Sequence, residues 1–426
     1  MKQQAAPCHR LTAFRDEMNP QEKKIMGLTA ASHNLVHLYE GVLPPILPLL
    51  LIEFHTDYFH MGMIVTIFSY AFGIGSLPAG YFSDRFRPGK LVSLFLLGAG
   101  GLSVCVGTVN SLGFYGVLMG LIGLCCSLYH PASNTLISQV MSQKGNAFGI
   151  HGIAGSLGVA IAPVLSASIA SAIGWKAPHI LFGLLGIGAG LYSLSRSFQT
   201  PVPAAKNILS PQPRATGLGV SVTALVVFYL SAAFLGLTYK GIMTFLPVYM
   251  GERVSMAFMG ISKLTLAGSC ATFALLSGAV GQYVGGRLVD RWRPEFVYAG
   301  AIWLGTVFVF LMAVSSNGLL IASAVMYAFF YFATQPIQNF MLSRYLPQDR
   351  YGLGFGIHFF ITFGVGSTAA AFSGYLADHH GLASVFFAMG GCFVASSCLA
   401  GYLILQTRTP IAPQKIQQWV NSLIAA

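Results

Sequence analysis

Gly80-Tyr81-Phe82-Ser83-Asp84-Arg85-Phe86-Arg87-Pro88-Gly89-Lys90 is the stretch on which the fold turns. Alone it would read as a short basic loop. It recurs 206 residues later as Gly286-Arg287-Leu288-Val289-Asp290-Arg291-Trp292-Arg293-Pro294. Working outward, Tyr39-Glu40-Gly41 pairs with Tyr239-Lys240-Gly241, and His130-Pro131-Ala132-Ser133-Asn134 with Gln335-Pro336-Ile337-Gln338-Asn339. Phe148-Gly149-Ile150-His151 pairs with Phe355-Gly356-Ile357-His358. Offsets of 200 to 207 residues, kept over the length of the chain, mark a duplicated unit read in the same direction in both copies.

What lies between these motifs is apolar. Of 426 residues, 55% are hydrophobic and 8% charged, and the mean hydropathy is +0.68. Soluble proteins carry about 25% charged residues, and a chain this poor in charge could not cover its own surface with water-loving groups. An ordinary soluble enzyme, a nucleic-acid-binding protein and a disordered scaffold are excluded. Apolar stretches fall at 26–52, 61–83, 90–109, 112–138, 147–172, 178–197, 220–250, 265–287, 297–315, 318–344, 353–377 and 384–405. Each is long enough to cross a bilayer, which takes about 20 residues. The fold expected is an all-α membrane protein of twelve transmembrane helices in two parallel six-helix repeats. It divides into a tail (1–25), a first bundle (26–197), a polar, proline-containing linker (198–219), a second bundle (220–405) and a second tail (406–426).

Lys and Arg set the orientation, because cytoplasmic loops hold an excess of them. Both tails, the linker and the loops 2–3, 4–5, 8–9 and 10–11 together hold 19 of the 23; the opposite side has only Lys176, Arg253 and Lys263. Both termini are therefore expected in the cytoplasm, and the net charge of +11 reads as topology, not as a nucleic-acid surface. The first 24 residues are polar and lack the apolar core of a cleavable signal. Of seven cysteines only Cys8 lies outside the apolar stretches, and none has metal-ligand spacing. No phosphate-binding loop or nucleophile elbow stands out. No enzyme activity, ATP-driven pump, cofactor or metal centre is expected; the partners expected are a small-molecule substrate, protons and lipid, with the chain a monomer. Parallel repeats place a substrate site between the halves near the membrane midplane, with rocking for alternating access.

The Gly-x-x-x-Asp-Arg-x-x-x-Gly-Lys pattern from Gly80 to Lys90, with its weaker echo after span 8, resembles the signature loop of the major facilitator superfamily. The resemblance implies a secondary transporter of the bacterial inner membrane with the major facilitator fold. It also implies a gating charge network at Gly80, Asp84, Arg85, Arg87, Lys90, Gly286, Asp290, Arg291 and Arg293. Ser32-His33, Pro48-Leu49-Leu50 and Tyr129-His130-Pro131 further resemble the fosmidomycin-resistance-like branch of drug exporters. That branch implies an Asp four residues after His33; here His37 stands there, and the nearest acid is Glu40, one turn on. In span 5, Ala162-Pro163 keeps the proline of the exporter motif, but Ser166-Ala167 replaces its glycines. The resemblance points to proton-coupled export (proton antiport, efflux) of a drug-like or amphipathic compound. The alternative is transport of a small organic anion or metal chelate; a non-transporting receptor is disfavoured by the paired gating loops.

Ionisable groups inside a membrane are costly and usually functional. Most of the 12 acids fall in tails, loops or span ends, Asp378 capping span 11. Only Glu40 among acids and Lys240 among bases sit deep, at matched positions of the repeats. They read either as coupling acid and anion-holding cation, or as a fixed pair holding the halves together. His33, His37 and Glu40 fall at i, i+4 and i+7 on one helical face. That face suits proton coupling, a shared transition metal, or plain hydrogen bonds to neighbouring helices. The substrate-binding candidates beside Lys240 are Tyr39, Tyr239, His130, Asn134, His151, Gln335, Asn339 and His358.

Overall fold

The computed structural model describes residues 18–141, 144–194, 221–255, 260–289, 291–346 and 351–407. The expected linker at 198–219 and most of both tails lie outside them, as do Asp290 and the side chains of Asp84 and Arg85.

The first half holds α1 (Pro20–Glu53), α2 (Tyr58–Arg85), α3 (Pro88–Thr108), α4 (Leu112–Ile137), α5 (Lys144–Ile173) and α6 (Lys176–Ser193). The second holds α7 (Val222–Arg253), α8 (Lys263–Val289), α9 (Pro294–Val314), α10 (Asn317–Tyr345), α11 (residues 351–380) and α12 (Leu382–Gln406). Eleven of the described helices are long and apolar enough to cross a membrane. The shortest, α6, has 18 residues, and its Lys176 Nζ reaches back to donate to Val109 O at 2.6 Å.

Local sequence explains where these helices start and break. α1 begins six residues before the apolar stretch, because Asn19 caps it. The Asn19 side chain accepts the N–H groups of Gln21 and Glu22, while Glu22 takes the Asn19 N–H at 2.8 Å. This reciprocal capping box, with Pro20 at the first position, satisfies donors that would otherwise face no partner. Near its middle α1 breaks between Gly41 and Leu43. Pro44 and Pro45 lack the N–H groups that would bond the carbonyls of Glu40 and Gly41, so the backbone loosens beside the one deep acid. α11 breaks as well: after Phe359 it takes a π-helical turn over Phe360–Gly364 and a tighter one over Val365–Ser367, then resumes at Thr368. Such turns often sit at functional sites.

Within the first half α3 packs on α6, α2 on α4 and α1 on α5; within the second, α8 packs on α10, and α12 on α7 and α9. The halves meet along two seams, α2 against α11 and α5 against α8. Glycine makes these seams close. A Cβ at Gly268 would lie 2.6 Å from Pro163 O, and one at Gly62 would overlap the Ala370 backbone. Lipid offers helices no hydrophobic drive to associate, so close packing over small residues carries the contact.

At the face opposite the termini the halves are tied by hydrogen bonds. Asp378 Oδ1 and Oδ2 accept the Tyr58 and Phe59 N–H groups at 3.0 and 2.8 Å. Asp378 therefore caps the start of α2 in the other half; its own helix ends instead on Gly381, whose N–H donates to Ala377 O, because a carboxylate has no proton to give the carbonyls at a helix C-terminus. Asp57 caps the same end through the His60 N–H at 2.8 Å. Partial burial pushes the Asp57 carboxyl up, but its bonds to His60 outweigh that and hold it below the usual range. Ser171 Oγ meets Ser262 Oγ across the other seam at 2.7 Å. Among the described residues, the larger of two cavities between the halves lies on the side of the termini.

Candidate functional site

Glu40 and Lys240 face one another. Lys240 Nζ donates to Glu40 Oε1, and the other carboxylate oxygen, Oε2, accepts from His37 Nδ1 at 3.0 Å. Lys240 is 4% exposed, with its Nζ 5.7 Å from the Tyr239 ring and 5.8 Å from the Phe363 ring. α1 and α7, equivalent helices of the two repeats, thus meet through an ion pair at the centre of the molecule.

Two cavities lie near the pair, which borders the smaller one. On the far side Glu40, Lys240, Pro44, Pro163 and Pro247 border a small space of about 60 Å³. On the terminal side lies a cavity of about 450 Å³, within the usual size range of small-molecule sites. His37, Val159 and Tyr239 border both.

The larger cavity gathers most of the candidates read from sequence. His33, His37, His130, Asn134 and His151 line it from the first half. Tyr239, Gln335, Asn339 and His358 line it from the second. His33 Nδ1 donates to the His151 carbonyl at 2.6 Å, and the His33 and His151 rings stack at 4.1 Å. His151 and His358, equivalent in the repeats, are 5% and 6% exposed, and the Nδ1 of each has no hydrogen-bond partner among the described residues. Tyr239 stacks on Tyr331 at 5.3 Å, giving one wall an aromatic face.

Tyr39 does not join them. It is 1% exposed and donates to Phe182 O at 3.0 Å, packed on Phe95. One residue along a helix is about 100° of rotation, so a neighbour of Glu40 points away from the cavity, into α3 and α6. Its counterpart Tyr239 does line the cavity, so the repeat is not symmetric here.

Sequence reasoning missed Gln282 and Gln338, both on the cavity wall. Ser156 Oγ donates to Gln282 Oε1 at 2.8 Å, and Gln282 Nε2 donates to Gln335 Oε1 at 2.7 Å. This chain crosses from α5 through α8 to α10. An amide inside an apolar helix is a polar signal in its own right, and that signal marks both residues as it marks Asn134, Gln335 and Asn339.

Of the gating residues, Arg293 is tied within its own half, 3.8 Å from Glu295 and 3.3 Å from Thr407 Oγ1, and Tyr345 OH donates to Glu295 at 2.9 Å. Gly80 lies near the end of α2, Arg87 and Lys90 at the start of α3, Gly286 in the last turn of α8 and Arg291 in the turn that follows it, on the terminal face.

Comparison with known proteins agrees with this architecture. The profile of the Major Facilitator Superfamily matches residues 29–367 and again 229–422. The chain belongs to the Major Facilitator Superfamily. As a superfamily member it is a transporter of a small solute. It is 24% identical over 371 residues to the fosmidomycin resistance protein of Escherichia coli, covering 85% of this chain and 88% of that one. It is 23% identical over 361 residues to the cis,cis-muconate transport protein of Acinetobacter baylyi, covering 80% and 84%. The fold matches that of a bacterial homologue of the human lysosomal transporter Spinster in an inward-facing, occupied conformation. That match has a TM-score of 0.73 at 16% identity, over 93% of this chain and all of the other.

Proposed function

We propose that this chain is a proton-coupled transporter of a small organic anion, working by alternating access in the bacterial inner membrane with both termini in the cytoplasm. The observation that carries the reading is the Glu40–Lys240 pair, which joins the two halves and is held by His37 and flanked by Tyr239, two residues of the histidine- and amide-lined cavity. An anionic solute entering from the terminal side competes with Glu40 for Lys240. A buried carboxylate parted from its cation is too costly to leave charged, so Glu40 takes up a proton. His37, on its other oxygen, and His33, one turn away, form the path by which that proton comes and goes. Once the solute leaves, Glu40 releases the proton and the pair re-forms. Proton and anion are therefore bound together and released together through one side chain, which is the minimum device for coupling.

Export of a drug-like compound is the second reading. It is favoured by the relationship to the fosmidomycin resistance protein over most of both chains, and by the aromatic wall of Tyr239, Tyr331 and Phe363. Purified protein in proteoliposomes under an imposed pH gradient separates the two. A panel of carboxylates, sugar acids and lipophilic cations is offered on each side. Gradient-driven movement of anions supports the first reading. Movement of lipophilic cations alone refutes it in favour of the second, and the gradient polarity that drives flux gives the direction.

A further inference from the structure

The spacing of His33 and His37 on α1 shows two imidazoles on one face. The fold adds a third from α4, about 100 positions along the chain. His33, His37 and His130 each offer a ring nitrogen, and the three nitrogens lie within 4.8 Å of one another. The ring centroids form a triangle of 5.1, 5.1 and 5.8 Å.

The hydrogen bonds of the first two rings decide what this triangle is suited to bind. His33 Nδ1 faces a carbonyl, which only accepts, so Nδ1 carries the proton and Nε2 keeps its lone pair. His37 Nδ1 faces the Glu40 carboxylate, with the same result. Histidines that ligate metals nearly always hold their other nitrogen this way, against a carbonyl or carboxylate, which fixes the tautomer and strengthens the donor. Here one histidine has each kind of support. A cluster built to bind an anion would instead present N–H groups.

We propose that His33, His37 and His130 form a mononuclear site for a borderline divalent transition metal of the Zn²⁺, Co²⁺ or Ni²⁺ class. Three imidazoles suit these ions, whereas Mg²⁺ and Ca²⁺ prefer oxygen ligands. Zn–N bonds of about 2.0–2.1 Å in a tetrahedral site place nitrogens about 3.3 Å apart. One nitrogen on each ring already lies within 4.8 Å of the other two, so the rings must turn and close in to reach that spacing, a side-chain adjustment. All three histidines line the 450 Å³ cavity, which supplies the entry path and room for a water or oxygen ligand in the fourth position. The charges around the site permit the ion: Glu40 lies behind His37, and Lys240 is neutralised against the far oxygen of that carboxylate. His151, stacked on His33, anchors the cluster through its backbone carbonyl.

The test is Co²⁺ titration of the full chain, purified in detergent with any polyhistidine tag removed. The expected result is one Co²⁺ per chain with the intense visible bands of a tetrahedral site, displaced by Zn²⁺. His130→Gln and His37→Gln should weaken binding at least about 100-fold, and Glu40→Gln about 10- to 100-fold, the usual loss for a supporting carboxylate. The exposed pair changed together, His379→Gln with His380→Gln, should leave binding unchanged. Absent binding, equal binding in the ligand variants, or binding lost with His379 and His380 would overturn the proposal. Should the ligand variants fail to fold, X-ray absorption of Zn²⁺ on the unaltered protein decides: three imidazole nitrogens support the site, and a shell with fewer overturns it. Nothing here is read from transport, so failure of the metal site leaves the proton-coupling reading standing.

Discussion

Removing Lys240 should harm the protein more than removing Lys240 and Glu40 together. Lys240 is 4% exposed and its Nζ is bound to Glu40, whose side chain is 15% exposed. Lys240→Met leaves a buried carboxylate with His37 as its remaining partner, and breaking a buried pair in this way costs about 3–5 kcal/mol. Replacing both charges with neutral groups of similar volume is often neutral, or stabilising by about 1–4 kcal/mol. Glu40→Gln alone should fall between, because Lys240 keeps the faces of Tyr239 and Phe363, and such contacts are worth about 0.5–2 kcal/mol. The assay is thermal unfolding in one detergent at one scan rate, comparing the unaltered chain, both single variants and the double variant. The expected order of midpoints puts Lys240→Met lowest, Glu40→Gln next, and the double variant at or above the unaltered chain. A double variant that loses as much as the two singles combined would show that the charges act independently and would refute the pairing across the halves.

Three further outcomes follow from the geometry. Ser171→Cys with Ser262→Cys, in a background free of other cysteines, should form a cross-link that arrests transport until it is reduced, because the two hydroxyls meet at 2.7 Å across the α5–α8 seam. Gly268→Leu should disfavour closure of the far face, since even a Cβ there crowds Pro163 O at 2.6 Å; spin-label distances across that face should lengthen, and unchanged distances would contradict the close approach. A reporter active only in the cytoplasm should work when fused after Ala426 and fail when inserted at Ser316, as the Lys and Arg distribution requires.

The fold was legible because two signals reinforce each other. Scarce charge forces the chain into lipid, and the Asp84–Arg85 and Asp290–Arg291 loops register one half on the other. Glu40 and Lys240 were legible because a deep charge is rare enough to count. What sequence could not supply was direction around and between helices. Tyr39 and Glu40 are neighbours in the chain, yet one seals α1 against α6 while the other meets α7. Asp378 ends α11 but caps α2, a contact over 320 residues that no local pattern encodes. His130 joins His33 and His37 only through the crossing of α4 and α1. Gln282 was hidden for another reason: it lies outside the repeated motifs, and its role comes from bridging Ser156 and Gln335 on helices of different halves.

The central claim is that Glu40 exchanges its cation for a proton during the cycle. The measurement that tests it most directly compares the unaltered chain with Glu40→Gln in proteoliposomes, using a transported anion in two modes. One mode is accumulation driven by an imposed pH gradient; the other is exchange of labelled for unlabelled solute with no gradient. Glu40→Gln should keep the exchange and lose the accumulation, because the cavity and Lys240 remain while the proton site is gone. Equal gradient-driven accumulation by both proteins would contradict the account.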